Sequence, residues 1–349
     1  MAPPHFVLTP GIELELLLKP TERTDRSLRD CGYDANIVPG SADPVAVDTN
    51  RKRFHSALIE GLRVQGLEVG GRSIEYTMWT ITDKSALDEI PEHWFYSLTA
   101  TGRPKLIYFS QIWLCFDIKL TPGCSMHVHV SQENRFQCED LQKIIKSIIY
   151  YDGPVTDIVP PERKNNEWAK SNIDHLREWS MCRPSNPQDS WSRVFNPIDT
   201  KRPMGKLIMG LCDDTYLSWN FSNLPHNCGT MEFRRPPAVC TSREANHWVS
   251  VALGFISHAL GRGDWGQIKT SSSYPSVSGL DASIRLGLQY LGPMSQGALL
   301  PVVADKNPAI RATPAELEEI NQKKHLKRNK KSLFVEKMES RENSPVPWM

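Results

Sequence analysis

Two short stretches alternate hydrocarbon and polar charge with a period of two: Ile12-Glu13-Leu14-Glu15-Leu16 and Met126-His127-Val128-His129-Val130. Only an extended strand sends every second side chain to one face; wound into a helix, the same residues would be spread around the axis and form no apolar side. Each stretch is therefore a strand with one hydrocarbon face, which needs a cover, and one polar face. Glu13 and Glu15 share such a face, and His127 and His129 share another. The segment Gly229 to Phe233 predicts a further strand, on which Glu232 is followed, one apolar residue later, by Arg234.

The cover is legible as helices. Phe54, Leu58, Ile59 and Leu62 recur at helical spacing and Gly66 closes the element. Asp140 is placed to cap a helix whose stripe is Leu141, Ile144, Ile145, Ile148 and Ile149, and a long helix from Arg243 to Leu260 buries Trp248, Val251, Phe255, Ile256 and Leu260. Short strands are expected at Leu67 to Val69, Glu75 to Thr82 and Tyr216 to Asn220, and a capping box, Thr313-Pro314-Ala315-Glu316, starts a late helix. Residues 20–50 and 152–206 carry prolines and charges without periodicity and read as loop-rich, the second as a lid or substrate loop. The aromatic stretch 92–116 has no clean period, and no internal repeat is present. Residues 1–300 are expected to form the catalytic unit, and 301–349 a C-terminal helix with a basic and polar tail whose run Lys323 to Lys331 fits a solvated helix end.

Several function classes fall away. With 41 basic against 40 acidic side chains in 349 residues, no global field draws in nucleic acid or an anionic membrane. No apolar run is long enough to span a bilayer and the first residues do not form a secretory signal, so a cytoplasmic protein is expected. The eight cysteines are scattered without a C-x-x-C pair, which reads as reduced, mostly buried thiols rather than a zinc site. There is no phosphate-binding G-x-x-x-x-G-K-[ST] loop, dinucleotide fingerprint, G-x-S-x-G elbow or H-E-x-x-H helix. Cys124 three residues before His127 could act as a nucleophile, but no third group to orient the pair is evident.

Brought onto one surface, Glu13, Glu15, Glu232, His127, His129 and Arg234 would assemble three carboxylates, two imidazoles and a guanidinium. That inventory suits a hard divalent cation such as Mg2+, which shares its coordination with phosphates, and an anionic ligand held by the planar fork of Arg. It fits phosphoryl transfer. Taken singly, each pair also fits the solvent side of a half-buried sheet or a surface salt-bridge ladder. On the metal reading, Glu232→Gln should nearly abolish phosphoryl transfer at little cost in stability.

Four motifs in this order, Gly11-Ile12-Glu13-Leu14-Glu15, Gly123-Cys124-Ser125-Met126-His127-Val128-His129-Val130-Ser131, Arg163-Lys164-Asn165-Asn166 and Gly229-Thr230-Met231-Glu232-Phe233-Arg234, resemble the amidoligase family, in particular its fungal members. These are carboxylate–amine ligases related to glutamine synthetase and glutamate–cysteine ligase, and the resemblance spans roughly residues 6 to 260. It implies an α+β fold with a curled, mainly antiparallel sheet as the active-site face and helices on its outer side. It also implies ATP and Mg2+, with Glu13, Glu15, His127 and Glu232 holding metal, His129 and Arg234 facing the nucleotide phosphates, and Arg163, Asn165, Asn166 and Asn220 lining the substrate pocket. ATP would phosphorylate a small carboxylate, amino acids among the candidates, and an amine would displace the phosphate to leave an amide. The sequence leaves the acid, the amine and the oligomeric state open. It departs from the family in one place: the stretch His93-Trp94-Phe95-Tyr96-Ser97-Leu98 lacks the strand carboxylate expected there, so either Glu92 or Asp83 compensates or the chain is a silent copy that keeps the fold for binding or interaction.

Overall fold

The alternating N-terminal segment is the central strand of the molecule. In the computed structural model, β1 (Leu8–Pro20) pairs antiparallel with β6 (Ser125–Gln132) on one side and with β4 (Trp94–Thr101) on the other, while β5 (Phe116–Leu120) continues the β6 side at Leu17 to Pro20. The structure describes residues 7–30, 32–34, 36–37, 43–64, 69–71, 79–82, 94–101, 116–120, 124–164, 166, 168–173, 191–200, 204–209, 215–225, 229–271, 273–292 and 310–311. Among them, β2 (Val69–Gly71) and β3 (Trp79–Thr82) extend the sheet beyond β4, and β8 (Met231–Phe233) and β7 (Trp219–Asn220) extend it beyond β6, giving the order β2-β3-β4-β1-β6-β8-β7. The ladders are antiparallel except β2 with β3 and β5 with β9 (Ile310–Arg311), and the sheet is open. The protein is α+β.

The apolar face of the two alternating strands is sealed. Ile12, Leu14, Leu16, Met126, Val128 and Val130 are all 0% exposed. At about 2 kcal/mol for each such side chain removed from water, this row sets which way the strands face, because a slip of one residue would bury the carboxylates and imidazoles in its place. The cover is α8 (Ser242–Gly261), which lies against β1, β6 and α3 (Cys138–Tyr150) and buries the apolar stripe its sequence predicts. It begins in a capping box, with Glu244 N donating to Thr241 Oγ1 and Thr241 N to Glu244 Oε2. Trp219 of β7 is stacked between Phe233 of β8 and Phe255 of α8, at 4.4 and 5.0 Å between ring centres, which fixes the short edge strands to the helix layer.

Four local expectations change. Asp140 does not cap α3: Gln137 is the cap, and Asp140, three residues on, accepts the Gln137 N–H at 3.0 Å. Residues 20–50 are not an irregular excursion; they contain α1 (Glu22–Asp30) and the first turns of α2 (Pro44–Val64). The start signal was a side-chain cap before a proline: Asp43 Oδ1 accepts the N–H groups of Val45 and Ala46, and Pro44 occupies a first-turn position that needs no donor. In 152–206 the described part holds four short helices, α4 (Asp152–Asp157), α5 (Pro161–Lys164), α6 (Ser192–Thr200) and α7 (Met204–Met209). After α9 (Trp265–Thr270), the helix α10 (Val277–Tyr290), which the sequence reading did not include, crosses α8 where Gly254 meets Gly287. The helix start at Thr313 and the basic run from Lys323 lie outside the described residues. Cys124, Cys138 and Cys240 are in no disulfide, and no described helix is long and apolar enough to cross a membrane.

Candidate functional site

Strand register brings the polar faces together. Glu13 lies opposite His127, Glu15 opposite Ser125, His129 opposite Glu232, and Glu232 opposite Asn220. Residues directly opposed in an antiparallel pair project from the same side of the sheet. The face turned away from α8 therefore carries three carboxylates and two imidazoles within three adjacent strands.

His127 is the hub. Only 1% of its side chain is exposed, and both ring nitrogens face acids: Nδ1 is 2.9 Å from Glu232 Oε1 and 3.4 Å from Glu13 Oε2, and Nε2 is 3.6 Å from Glu15 Oε2. His129 Nε2 lies 3.5 Å from Glu13 Oε2 and 3.9 Å from Glu232 Oε1, too far for a hydrogen bond to either, and this buried atom has no hydrogen-bond partner among the described residues. Glu232 is fully engaged. Arg234 Nη1 donates to its Oε1 at 2.5 Å and Asn220 Nδ2 to its Oε2 at 2.9 Å. Burial pushes the Glu232 carboxyl up, but the hydrogen bond from His127 and the charges of His127, His129 and Arg234 outweigh it and hold the group at about 2.

Glu232 is thus a buried ion-pair member as well as a candidate ligand, and the expectation that Glu232→Gln costs little stability is corrected on that ground: an amide here would strand Arg234 and His127.

The wall beside Glu232 is a second layer that supports the first. Arg163, expected in the substrate pocket, is 1% exposed and directs Nη2 to the carbonyl of Arg234 and Nε to that of Arg235, so it fixes the chain end of β8. Asn166 accepts the Trp168 N–H in a tight turn, and the Trp168 carbonyl in turn accepts Arg234 Nε at 3.1 Å. Asn165 lies outside the described residues. Asn172, not singled out from the sequence, pairs both backbone groups of Trp219 at 2.9 Å, standing in for a missing strand neighbour of β7 and so holding Asn220 in place. Trp168 and Tyr216, also missed, meet edge-to-face at 4.6 Å, and the Arg234 guanidinium sits 6.0 Å from the Tyr216 ring centre. Their signal in the sequence was weak: one aromatic just after the Arg163 motif and another before β7.

Two donor sets could hold a cation, Glu13 with Glu15 and His127, and Glu13 with His129 and Glu232; in each, the ligand atoms lie within 4.8 Å of one another. Glu13 is common to both. The buried His129 nitrogen without a hydrogen bond, aimed between two carboxylates, is the feature a bound cation accounts for, and oxygen-rich sets of this size suit Mg2+ or Mn2+. On the far side of β1 the register sets Ser97 opposite Glu15 and Thr99 opposite Glu13, so the described part of β4 brings no acid to this row; Asp83 and Glu92 lie outside the described residues. No family model matches the chain, and no curated protein matches it either.

Proposed function

We propose that the protein is an ATP- and Mg2+-dependent carboxylate–amine ligase of the amidoligase type, its open sheet being the curled active-site sheet of glutamine-synthetase-like enzymes and its site face the floor of the reaction chamber. The observation that supports this reading most is the meeting, around one buried imidazole, of Glu13 and Glu15 from one sequence motif and Glu232 from another, with Arg234 alongside. A bound divalent cation would neutralise phosphate oxygens and so favour transfer of a phosphoryl group to a carboxylate, which is a poor acyl donor until then.

In that reading Glu13, Glu15, His127 and Glu232 hold the cation, and His129 stands at its edge toward the phosphates. Arg234 spends Nη1 on Glu232 and Nε on the Trp168 carbonyl, and its remaining amino group Nη2 makes no hydrogen bond among the described residues. That group is the anchor for an anionic oxygen, of phosphate or of the acid substrate. The backbone of Arg234, held by Arg163 and by the Ser218 carbonyl, keeps the anchor fixed without help from the ligand. The substrates are a small acid and an amine, neither nucleic acid nor lipid, and the setting is cytoplasmic.

The test is incubation with ATP, Mg2+ and a panel of acids and amines, with release of ADP and phosphate expected only when an acid is present. The alternative, a silent protein that keeps the fold for binding, draws on the stretch His93 to Leu98, which lacks the strand carboxylate that the family carries there. Folded protein that turns over no pair, and shows no calorimetric ATP binding with Mg2+ present, decides for that alternative.

A further inference from the structure

The hydroxyl of Ser125 has one proton and two polar neighbours. Only 2% exposed, Ser125 Oγ lies 2.5 Å from Glu15 Oε2 and 2.9 Å from His127 Nε2. An ionised carboxylate can only accept, so the hydroxyl proton goes to Glu15. The oxygen is left as an acceptor toward His127, and Nε2 must carry a ring hydrogen. A cation bound at Nδ1 would take the place of the Nδ1 proton that Glu232 Oε1 otherwise accepts, and the lone pair would then be on Nδ1, which faces Glu232 Oε1 and Glu13 Oε2 at 2.9 and 3.4 Å. These are the carboxylates between which His129 Nε2 also points.

We propose that Ser125 is a positioning residue that commits His127 to hold the divalent cation through Nδ1, on the side of Glu13, Glu232 and His129, with Glu15 as the outer anchor of a Glu15–Ser125–His127 chain. The inference rests on the ligase reading for the presence of a cation. It adds which ring nitrogen meets the ion and which residue decides that, and it moves Glu15 from the ligand set of that reading to the support of His127. Metal-bound imidazoles owe their orientation and tautomer to the group on their other nitrogen, and removing such a group costs about 10- to 100-fold in metal affinity. Here that group is a serine two residues earlier on the same strand and face. Bound through Nε2 instead, the cation would displace the Ser125 contact and leave Nδ1 between two carboxylates.

The experiment has two readouts that do not depend on turnover. Histidine 15N NMR of the Mg2+-saturated full-length protein, with His127→Asn to assign the signals, is expected to show His127 protonated on Nε2 and not on Nδ1. Mn2+ titration followed by electron paramagnetic resonance is expected to show Ser125→Ala weakened by about 10- to 100-fold and Ser125→Thr, which keeps the hydroxyl, within about threefold of wild type. Thermal unfolding checks that the variants are folded; should Ser125→Ala not fold, the wild-type tautomer decides alone. A loaded protein protonated on Nδ1, or a folded Ser125→Ala that holds Mn2+ within about twofold of wild type, overturns the proposal. In the second of these cases cation binding itself stands, and with it the ligase reading. Wild-type protein that binds neither cation removes both.

Discussion

Replacing Glu232 by Gln is a test of how much a site carboxylate contributes to the fold that carries it. The side chain is 3% exposed and accepts from Arg234, His127 and Asn220. Its carboxyl, ordinarily at 4.5, is raised by burial but brought down overall to about 2 by the hydrogen bond from His127 and the charges of His127, His129 and Arg234. At about 1.4 kcal/mol for each pKa unit, that corresponds to about 3 kcal/mol of stability held by the ionised form. Because the folded value lies below the unfolded one, this contribution is complete above about pH 4.5 and is lost as pH falls through about 2. Glutamine keeps the shape but offers an amide donor to groups that are themselves donors. In cation-free buffer at pH 7, urea unfolding should show Glu232→Gln less stable by about 3 kcal/mol, a cost in the range of a broken buried ion pair. The difference between variant and wild type should shrink as the pH is taken down from 4.5. A difference below about 0.5 kcal/mol at pH 7 would mean that the carboxylate behaves as an exposed surface partner, and the network argument would fail.

Three further outcomes are expected. A Cβ on Gly287 would lie 1.8 Å from the Gly254 carbonyl oxygen, so Gly287→Ala must force α8 and α10 apart, and chemical denaturation should register a loss of about 3 kcal/mol; an unchanged midpoint would show that the crossing is looser than described. Burial, reinforced by the Arg262 charge, lowers His258 to about 4 from 6.5, so the unfolded chain binds the extra proton first; stability should fall by about 3 kcal/mol as pH drops from 6.5 through 4, and His258→Gln should flatten that part of the curve. Asn172→Ala leaves the N–H and carbonyl of Trp219 without their partner, and at about 1 to 3 kcal/mol for each buried group it should both lower the melting temperature and weaken cation binding through Asn220, whereas a loss of neither would free β7 from that dependence.

What the sequence determined by itself was everything local in period. Alternation at Ile12 to Leu16 and at Met126 to Val130 settled strand, face and the need for a helical cover, because side-chain direction in a strand repeats every two residues whatever it pairs with. The same rule put Ser125 on the face of His127, although nothing in the chain said what its hydroxyl would touch. Helix α8 was legible from its stripe, while α1 and the start of α2 were hidden by reading charge and proline as loop. Tertiary structure decided the rest. Which residue stands opposite Glu13 or Glu232 depends on register between strands over 100 residues apart in the chain, and that is set by burying both apolar faces at once. Whether an arginine meets a ligand or a backbone carbonyl is likewise invisible in its identity: Arg163 and Arg234 look alike in the sequence, yet only Arg234 reaches the site carboxylates, because Arg163 comes from a helix behind the end of β8. Distances among donors arise when the strands meet, so the sequence could name the groups around His127 while the fold alone fixed which ring nitrogen faces which acid.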